Sequence, residues 1–239
     1  MTDFVLIERS VLFSPAWFVP YDEHNQRVRA TGVTALLDRF DDDENVWLPQ
    51  EDVAAVRTPS AAIVYPGLGR REPQPRRHRV RFEARGYQVL YPADGEPFSA
   101  DAVGIEFLTF PYNDTQPPAA PAEARLVRLL PSVAFPYMPG VRTVYGVVVD
   151  GSTRAPVANA LVEARGTTSQ DGAEWLERTL SDARGAFRLA LRWEGERTAP
   201  APAETFRLRA TERPGRTGEL VIRLPEDRDR QQVIEIVEQ

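Results

Sequence analysis

Two histidines are the natural starting point for catalysis in this chain, and neither has company. His24 lies in Asp22-Glu-His-Asn-Gln26 and His78 in Arg76-Arg-His-Arg79. Metal-dependent hydrolysis needs two or three nitrogen or oxygen ligands at fixed spacing, as in H-E-x-x-H, and neither stretch supplies them. Both segments are polar and turn-like, so both side chains are expected as solvated loop histidines. The acidic run Asp41-Asp-Asp-Glu-Asn45 has oxygens for a hard cation but lacks the spaced D-x-D-x-D-G arrangement, and adjacent carboxylates point apart. It is read as a solvated loop. Arg70, Arg71, Arg76, Arg77, Arg79 and Arg81, broken by Pro73 and Pro75, form a basic run whose guanidinium forks suit carboxylate or phosphate. The reading taken is a polar loop leading into a strand at 80–84, with an acidic protein partner second and nucleic acid a distant third. Gly67-Leu-Gly69 lacks the third glycine, strand and helix of a dinucleotide loop, and no glycine-flanked serine opens a helix. No catalytic residue, metal ligand or cofactor-binding residue is therefore assigned, and the chain is read as a non-enzyme.

Composition narrows the setting. The 239 residues hold no cysteine, which excludes disulfides and thiolate chemistry and favours a reducing compartment. Every one of the 29 basic residues is arginine, and the net charge of −6 argues against bulk binding to nucleic acid. Met1-Thr-Asp-Phe-Val-Leu-Ile-Glu-Arg9 lacks a basic region followed by a long apolar run, and no window has the apolar length of a membrane span. A cytoplasmic protein without membrane or nucleic-acid partners is the expectation.

The elements that would hold these residues read as strands. Proline outnumbers glycine, 21 to 15, and short apolar runs recur between turn signals. After Gly140 seven strands are expected, centred on 144–149, 157–164, 175–180, 187–193, 206–210, 220–224 and 233–237. Asp150-Gly151 and Asp182-Ala-Arg-Gly185 are the turns, with Gly185 free to take positive φ. Phe187, Leu189, Leu191 and Trp193 alternate with polar or small residues at the period of a half-buried strand. Seven strands in about a hundred residues suit a two-sheet sandwich.

Gly146, Val148, Asp150, Pro156, Val157, Ala160, Val162, Thr179, Gly185 and Phe187 together carry a "G-x-V-x-D … P-V-x-x-A-x-V … T-x-x-x-G-x-F" pattern over about fifty residues. In this order of parts the chain resembles the carboxypeptidase regulatory-like family, a transthyretin-like β-sandwich. The resemblance implies a fold used for support or binding, and it carries no peptidase activity with it.

The first half can be laid on the second in the same order. Asp22 falls 128 residues before Asp150, Val33 falls 129 before Val162, and Val80 falls 126 before Phe206. A nearly constant offset suggests two tandem copies of one unit. The fold class expected is all-β: two tandem transthyretin-like or Ig-like β-sandwiches joined by a Pro-rich connector. The boundaries drawn are a first sandwich at 1–112, a Pro/Ala-rich connector with an aromatic segment at 113–139, and a second sandwich at 140–239.

Aromatic residues in extended, proline-containing segments desolvate a large area at low rotamer cost, which suits interface anchors. Trp17, Phe18, Phe110, Tyr112, Phe135 and Tyr137 are the candidate interface on that ground. The function expected is a non-catalytic structural or assembly protein that binds other proteins through strand edges and the aromatic connector. What is known of the resembled family implies an accessory subunit of a phage tail or contractile-injection particle. A carbohydrate- or peptide-binding sandwich module is the alternative.

Overall fold

A computed structural model describes residues 13–70, 72–92, 95–113, 115–116, 123–167, 173–192, 204–224 and 226–238. Every regular element among them is a β-strand. The first half contributes β1 (Trp17–Asp22), β2 (Arg27–Val28), β3 (Val33–Asp41), β4 (Val46–Pro49), β5 (Val56–Arg57), β6 (Ile63–Val64), β7 (Arg76–Ala84), β8 (Tyr87–Val89), β9 (Ile105–Thr109) and β10 (Ala124–Pro131). The second contributes β11 (Thr143–Asp150), β12 (Leu161–Thr167), β13 (Glu174–Leu180), β14 (Ala186–Ala190), β15 (Glu204–Arg213), β16 (Arg216–Leu224) and β17 (Gln232–Glu238).

The two halves share one strand order. In the first, β6-β1-β10 forms the middle of one sheet and β4-β3-β7-β9 forms the other. In the second, β14-β11-β17 and β13-β12-β15-β16 stand in the same places but are joined through β16 and β17 into one seven-stranded sheet. Each half pairs its first strand in parallel with its last, β1 with β10 and β11 with β17. The register agrees with the sequence offsets, because Val33 faces Ala84 as Val162 faces Ala210.

Side-chain alternation explains which surfaces meet. On β7, His78, Val80 and Phe82 are buried while Arg77, Arg79 and Arg81 face outward, the period-two pattern of a sheet covered on one side. Phe18, Leu37, Tyr65, Val80, Phe82, Phe107 and Leu129 close the first core. Its centre is the Phe18 ring, edge-on to Phe82 at 5.3 Å and to Phe107 at 5.8 Å. Val148, Val162, Phe187, Leu189, Phe206, Leu208, Ile222 and Ile234 close the second. Burying each such side chain contributes roughly 1.5–3 kcal/mol before ordering costs are subtracted.

All seven strands expected in the second half are present, with one shifted start. Val157 is buried, but Pro156 bridges to Val149 and the chain turns at Asn159 before β12 begins at Leu161. Trp193 lies outside the described residues. Gly185 does take a positive φ, +73°, in the turn before β14.

The connector needs correction. Residues 117–122 lie outside the described residues, but Ala124–Pro131 is β10, a strand between β1 and β8 with Val127 and Leu129 in the core. The sheet of the first half therefore extends past residue 112, to Pro131. Pro131 is the last residue of the strand and faces Tyr87, at a position where the missing donor is tolerated because the bond to β8 is made by the Ser132 N–H to Gly86.

Candidate protein-binding interface

The two halves meet along a seam built by the turn after β1. Asp22 fixes that turn: its carboxylate accepts the Asn25 N–H at 3.0 Å, the Asn25 side-chain amide at 2.8 Å and the Tyr87 hydroxyl at 2.6 Å. Burial works to raise the Asp22 pKa, but the bonds from Tyr87 and Asn25 outweigh it and hold it below the ordinary value. Burial and the bond to Asp22 push the Tyr87 hydroxyl up to about 12.

Held this way, Glu23 and His24 reach β13. Arg178 donates through Nε and Nη2 to the two oxygens of Glu23, each at 2.5 Å, and Arg128 donates to Glu23 at 3.2 Å. His24 Nδ1 lies 3.1 Å from Glu177 Oε2, and the other Glu177 oxygen accepts from Arg192 at 2.8 Å. The imidazole sits edge-on to Phe135 at 5.7 Å and Tyr137 at 5.2 Å, with Arg188 over the Tyr137 ring at 4.9 Å. Burial raises the Tyr137 hydroxyl above its ordinary value. Thr179 donates to the Pro131 carbonyl at 2.7 Å, and Leu130, Leu161 and Leu180 pack beneath as a third apolar cluster. His24 is thus in a loop as expected, but its ring bolts the halves together instead of facing solvent.

His78 departs further from expectation. It is 1% exposed on β7, stacked on Phe107 at 5.7 Å with Thr109 Oγ1 at 3.4 Å from Nδ1. Burial lowers its pKa to about 4, so the ring is neutral at physiological pH. The sequence cue was available: His78, Val80 and Phe82 alternate with arginines, which is the pattern of a strand and not of a loop mouth.

Of the basic run, Arg76, Arg77, Arg79 and Arg81 lie on strand β7, Arg70 makes an isolated bridge to Tyr112, and Arg71 lies outside the described residues. Arg79 and Arg81 both donate to Asp38, which is 1% exposed on β3, with bonds of 2.8–3.1 Å. Arg77 pairs with Glu106 at 3.1 Å and lies over the Phe40 ring at 4.3 Å, while Arg79 lies over Trp47 at 4.5 Å. These guanidiniums are matched within the sheet face. In the acidic run, Asp41 Oδ1 accepts the N–H groups of Asp43 and Glu44 and so caps its own turn. Among the described residues no three His, Asp or Glu side chains converge as a metal site.

The six candidate interface aromatics do not form one patch. Phe18 is fully buried in the first core, so it cannot meet a partner, because β1 alternates and its inward face begins there. Phe135 is 7% exposed and, with Tyr137, lies in the seam. Tyr112 packs edge-on to Phe13 at 5.5 Å and its hydroxyl donates to the Phe13 carbonyl. Trp17 is partly exposed and Phe110 is 64% exposed. Sequence reasoning missed Leu108, which is 52% exposed two residues before Phe110 on the edge strand β9. Ile105 and Phe107 already fill the inward face of β9, so an apolar Leu108 on the opposite face was the available signal.

Two clefts open beside the seam. One, of about 740 Å³, is lined by Tyr21, Gln26, Arg128, Arg165, Trp175 and Arg178 among others. The second, of about 730 Å³, lies between β7, β8 and residues 98–103 and reaches Asn159 and Leu180 of the second half.

No family model matches the chain, and none of the curated proteins does. Among solved structures, a streptococcal ancillary pilin is similar at 14% identity and a TM-score of 0.28, over 94% of this chain. This chain spans 62% of that pilin's length. BcpA, the major pilin subunit of Bacillus cereus, follows at 11% identity and 0.28, over 92% of this chain and 68% of its own. A double mutant of shaft pilin SpaA from Lactobacillus rhamnosus GG gives 11% and 0.26, over 96% and 98%. Likenesses at this level carry no argument about function. The chain's own geometry establishes an all-β protein of packed sheets in which both histidines and the arginine-rich strand make structural contacts.

Proposed function

We propose that this is a non-catalytic structural or assembly protein that acts through protein–protein contacts. The observation that carries the reading is the edge strand β9, where Leu108 on its outer face and Phe110 just past its end both stand exposed, and which has a neighbour on one edge. An edge strand with exposed apolar side chains is a place where another chain pairs or packs. Its carbonyl at Glu106 is occupied by Arg125, which limits how a partner strand could run there and favours side-chain packing. An accessory place in a phage tail or contractile-injection particle is the setting we propose, and its support is the resemblance carried by residues 144–187. A carbohydrate- or peptide-binding module is the second reading, favoured by the polar 740 Å³ cleft with Tyr21, Gln26 and three arginines.

Light scattering on complexes recovered with the full chain tests the first reading. A stoichiometric protein complex that is lost in Leu108→Asp/Phe110→Asp, with melting unchanged, supports it. A monomer whose melting rises with an oligosaccharide and not with any protein replaces it with the second.

A further inference from the structure

The cleft of about 740 Å³ is lined from both halves. On β1 the outward residues are Trp17, Val19 and Tyr21, and Tyr21 faces Arg128 across the ladder to β10. On β13 they are Glu174, Leu176 and Arg178, with Leu176 facing Arg165 on β12. The fork from Arg178 to Glu23 joins the two walls, and Gln26 follows the turn that Asp22 caps.

On the sheet face of the first half, Arg79 and Arg81 are matched by Asp38. The polar groups of this cleft are not matched in that way. Among the described residues, the Tyr21 hydroxyl, the Gln26 side-chain amide and the Glu174 carboxylate have no hydrogen-bond partner. Arg178 commits Nε and Nη2 to Glu23, and its Nη1 is open. Arg165 reaches Glu163 at 3.3 Å with its side chain 73% exposed, a surface pair that contributes little. The backbone at Gln26 is left-handed, φ 51°, a conformation uncommon outside glycine that the capped turn holds in place.

Donors and acceptors therefore share one polar cleft, and together they select a ligand class. The open N–H groups of Arg165 and Arg178 fit a carboxylate or a phosphate. Glu174 and the Gln26 side-chain carbonyl accept hydrogen bonds, so the ligand must carry donors as well. A phosphate group offers no donor, and its second charge would stand against Glu174. A chain of hydroxyls bearing carboxylates supplies both kinds of group. Tyr21 and Leu176 add apolar surface for the C–H faces of its rings.

We infer that this cleft binds an acidic saccharide. Arg165 and Arg178 Nη1 take a ring carboxylate, Glu174 and Gln26 accept from ring hydroxyls, and Tyr21 lies against a sugar face. Because the walls belong to different halves, the bound chain also ties the halves together. The inference deepens the second reading, on which it rests, by naming the ligand class, and it is independent of the contact at β9.

A galacturonic acid oligomer is the probe, titrated onto the full chain by calorimetry beside the same oligomer with its carboxyls methyl-esterified. The acid form should bind saturably and raise the melting temperature, with the ester weaker by about tenfold. Its affinity should fall as salt is added. Arg165→Gln should bring the acid form close to the ester and leave the ester where it was, with the melting of the free protein unchanged. Tyr21→Ala should weaken both forms. Equal binding of acid and ester, or an effect of Arg165→Gln that is the same on both, would overturn the acidic class. So would binding of the ester alone, although the second reading would then stand. Inorganic phosphate or a polyglutamate peptide binding as tightly as the acid oligomer would show a site for any anion and overturn the saccharide. No binding of either oligomer at millimolar concentration would remove this inference and the second reading together, while a complex that depends on Leu108 and Phe110 would keep the first.

Discussion

Glu23 on the turn after β1 and Arg178 on β13 form a two-pronged ion pair across the seam, with both side chains about one-seventh exposed (13% and 14%). A fork of this kind fixes orientation as well as distance, so the two halves are held in one relative pose. A double-mutant cycle of Glu23→Ala and Arg178→Ala should return a coupling of about 1–3 kcal/mol in denaturant melts. Coupling indistinguishable from zero would mean that the apolar cluster of Leu130, Leu161 and Leu180 holds the seam alone.

Gly185→Val should destabilise the second half by roughly 1 kcal/mol or more. Gly185 has φ +73°, and a Cβ there would lie 2.5 Å from the Val148 carbonyl. A variant melting at the parental temperature would contradict the turn.

His78 should make stability depend on pH between about 6.5 and 4. Its folded pKa is lowered to about 4 by burial, so above the unfolded value near 6.5 neither state binds the proton. As pH falls through that window the unfolded chain takes up the proton first, and stability declines by an amount on the order of 3 kcal/mol. Asp22 and Asp38, held below the ordinary carboxylate range, add their own loss only below about pH 4. Thermal melts of His78→Phe should lack the slope between pH 6.5 and 4. A slope equal to that of the parent protein would remove His78 as its source.

Asp38→Ala should cost about 2 kcal/mol or more, because it leaves Arg79 and Arg81 adjacent with no shared anion. Arg81 is about one-third exposed, which keeps the expected loss below that of a fully buried network. Urea unfolding measures it. Replacing all three residues with apolar ones of similar size should recover part of the loss.

The strand framework was legible where side chains alternate without interruption. Phe187-Arg-Leu-Ala-Leu191 and Phe206-Arg-Leu-Arg-Ala210 announce β14 and β15, and the offsets that align Val33 with Val162 and Val80 with Phe206 reappear as equivalent ladder pairs. β10 was hidden because its proline-rich flank reads as a spacer, although Leu126–Leu130 has the apolar content of a core strand. The seam was not legible at all. Glu23 meets Arg178 across 155 positions, and a pairing so distant leaves no local period in the sequence. His78 was misplaced for a different reason: the arginines around it suggest solvent, while they face out and the imidazole faces in.

The most direct measurement is the mass of complexes recovered with the full chain, by light scattering, for the parent and for Leu108→Asp/Phe110→Asp. The parent should give a complex of defined stoichiometry and the double variant free monomer, with equal melting temperatures for the two proteins. A parent that remains a monomer, or a complex that survives both substitutions, would contradict the reading of β9 as the contact surface.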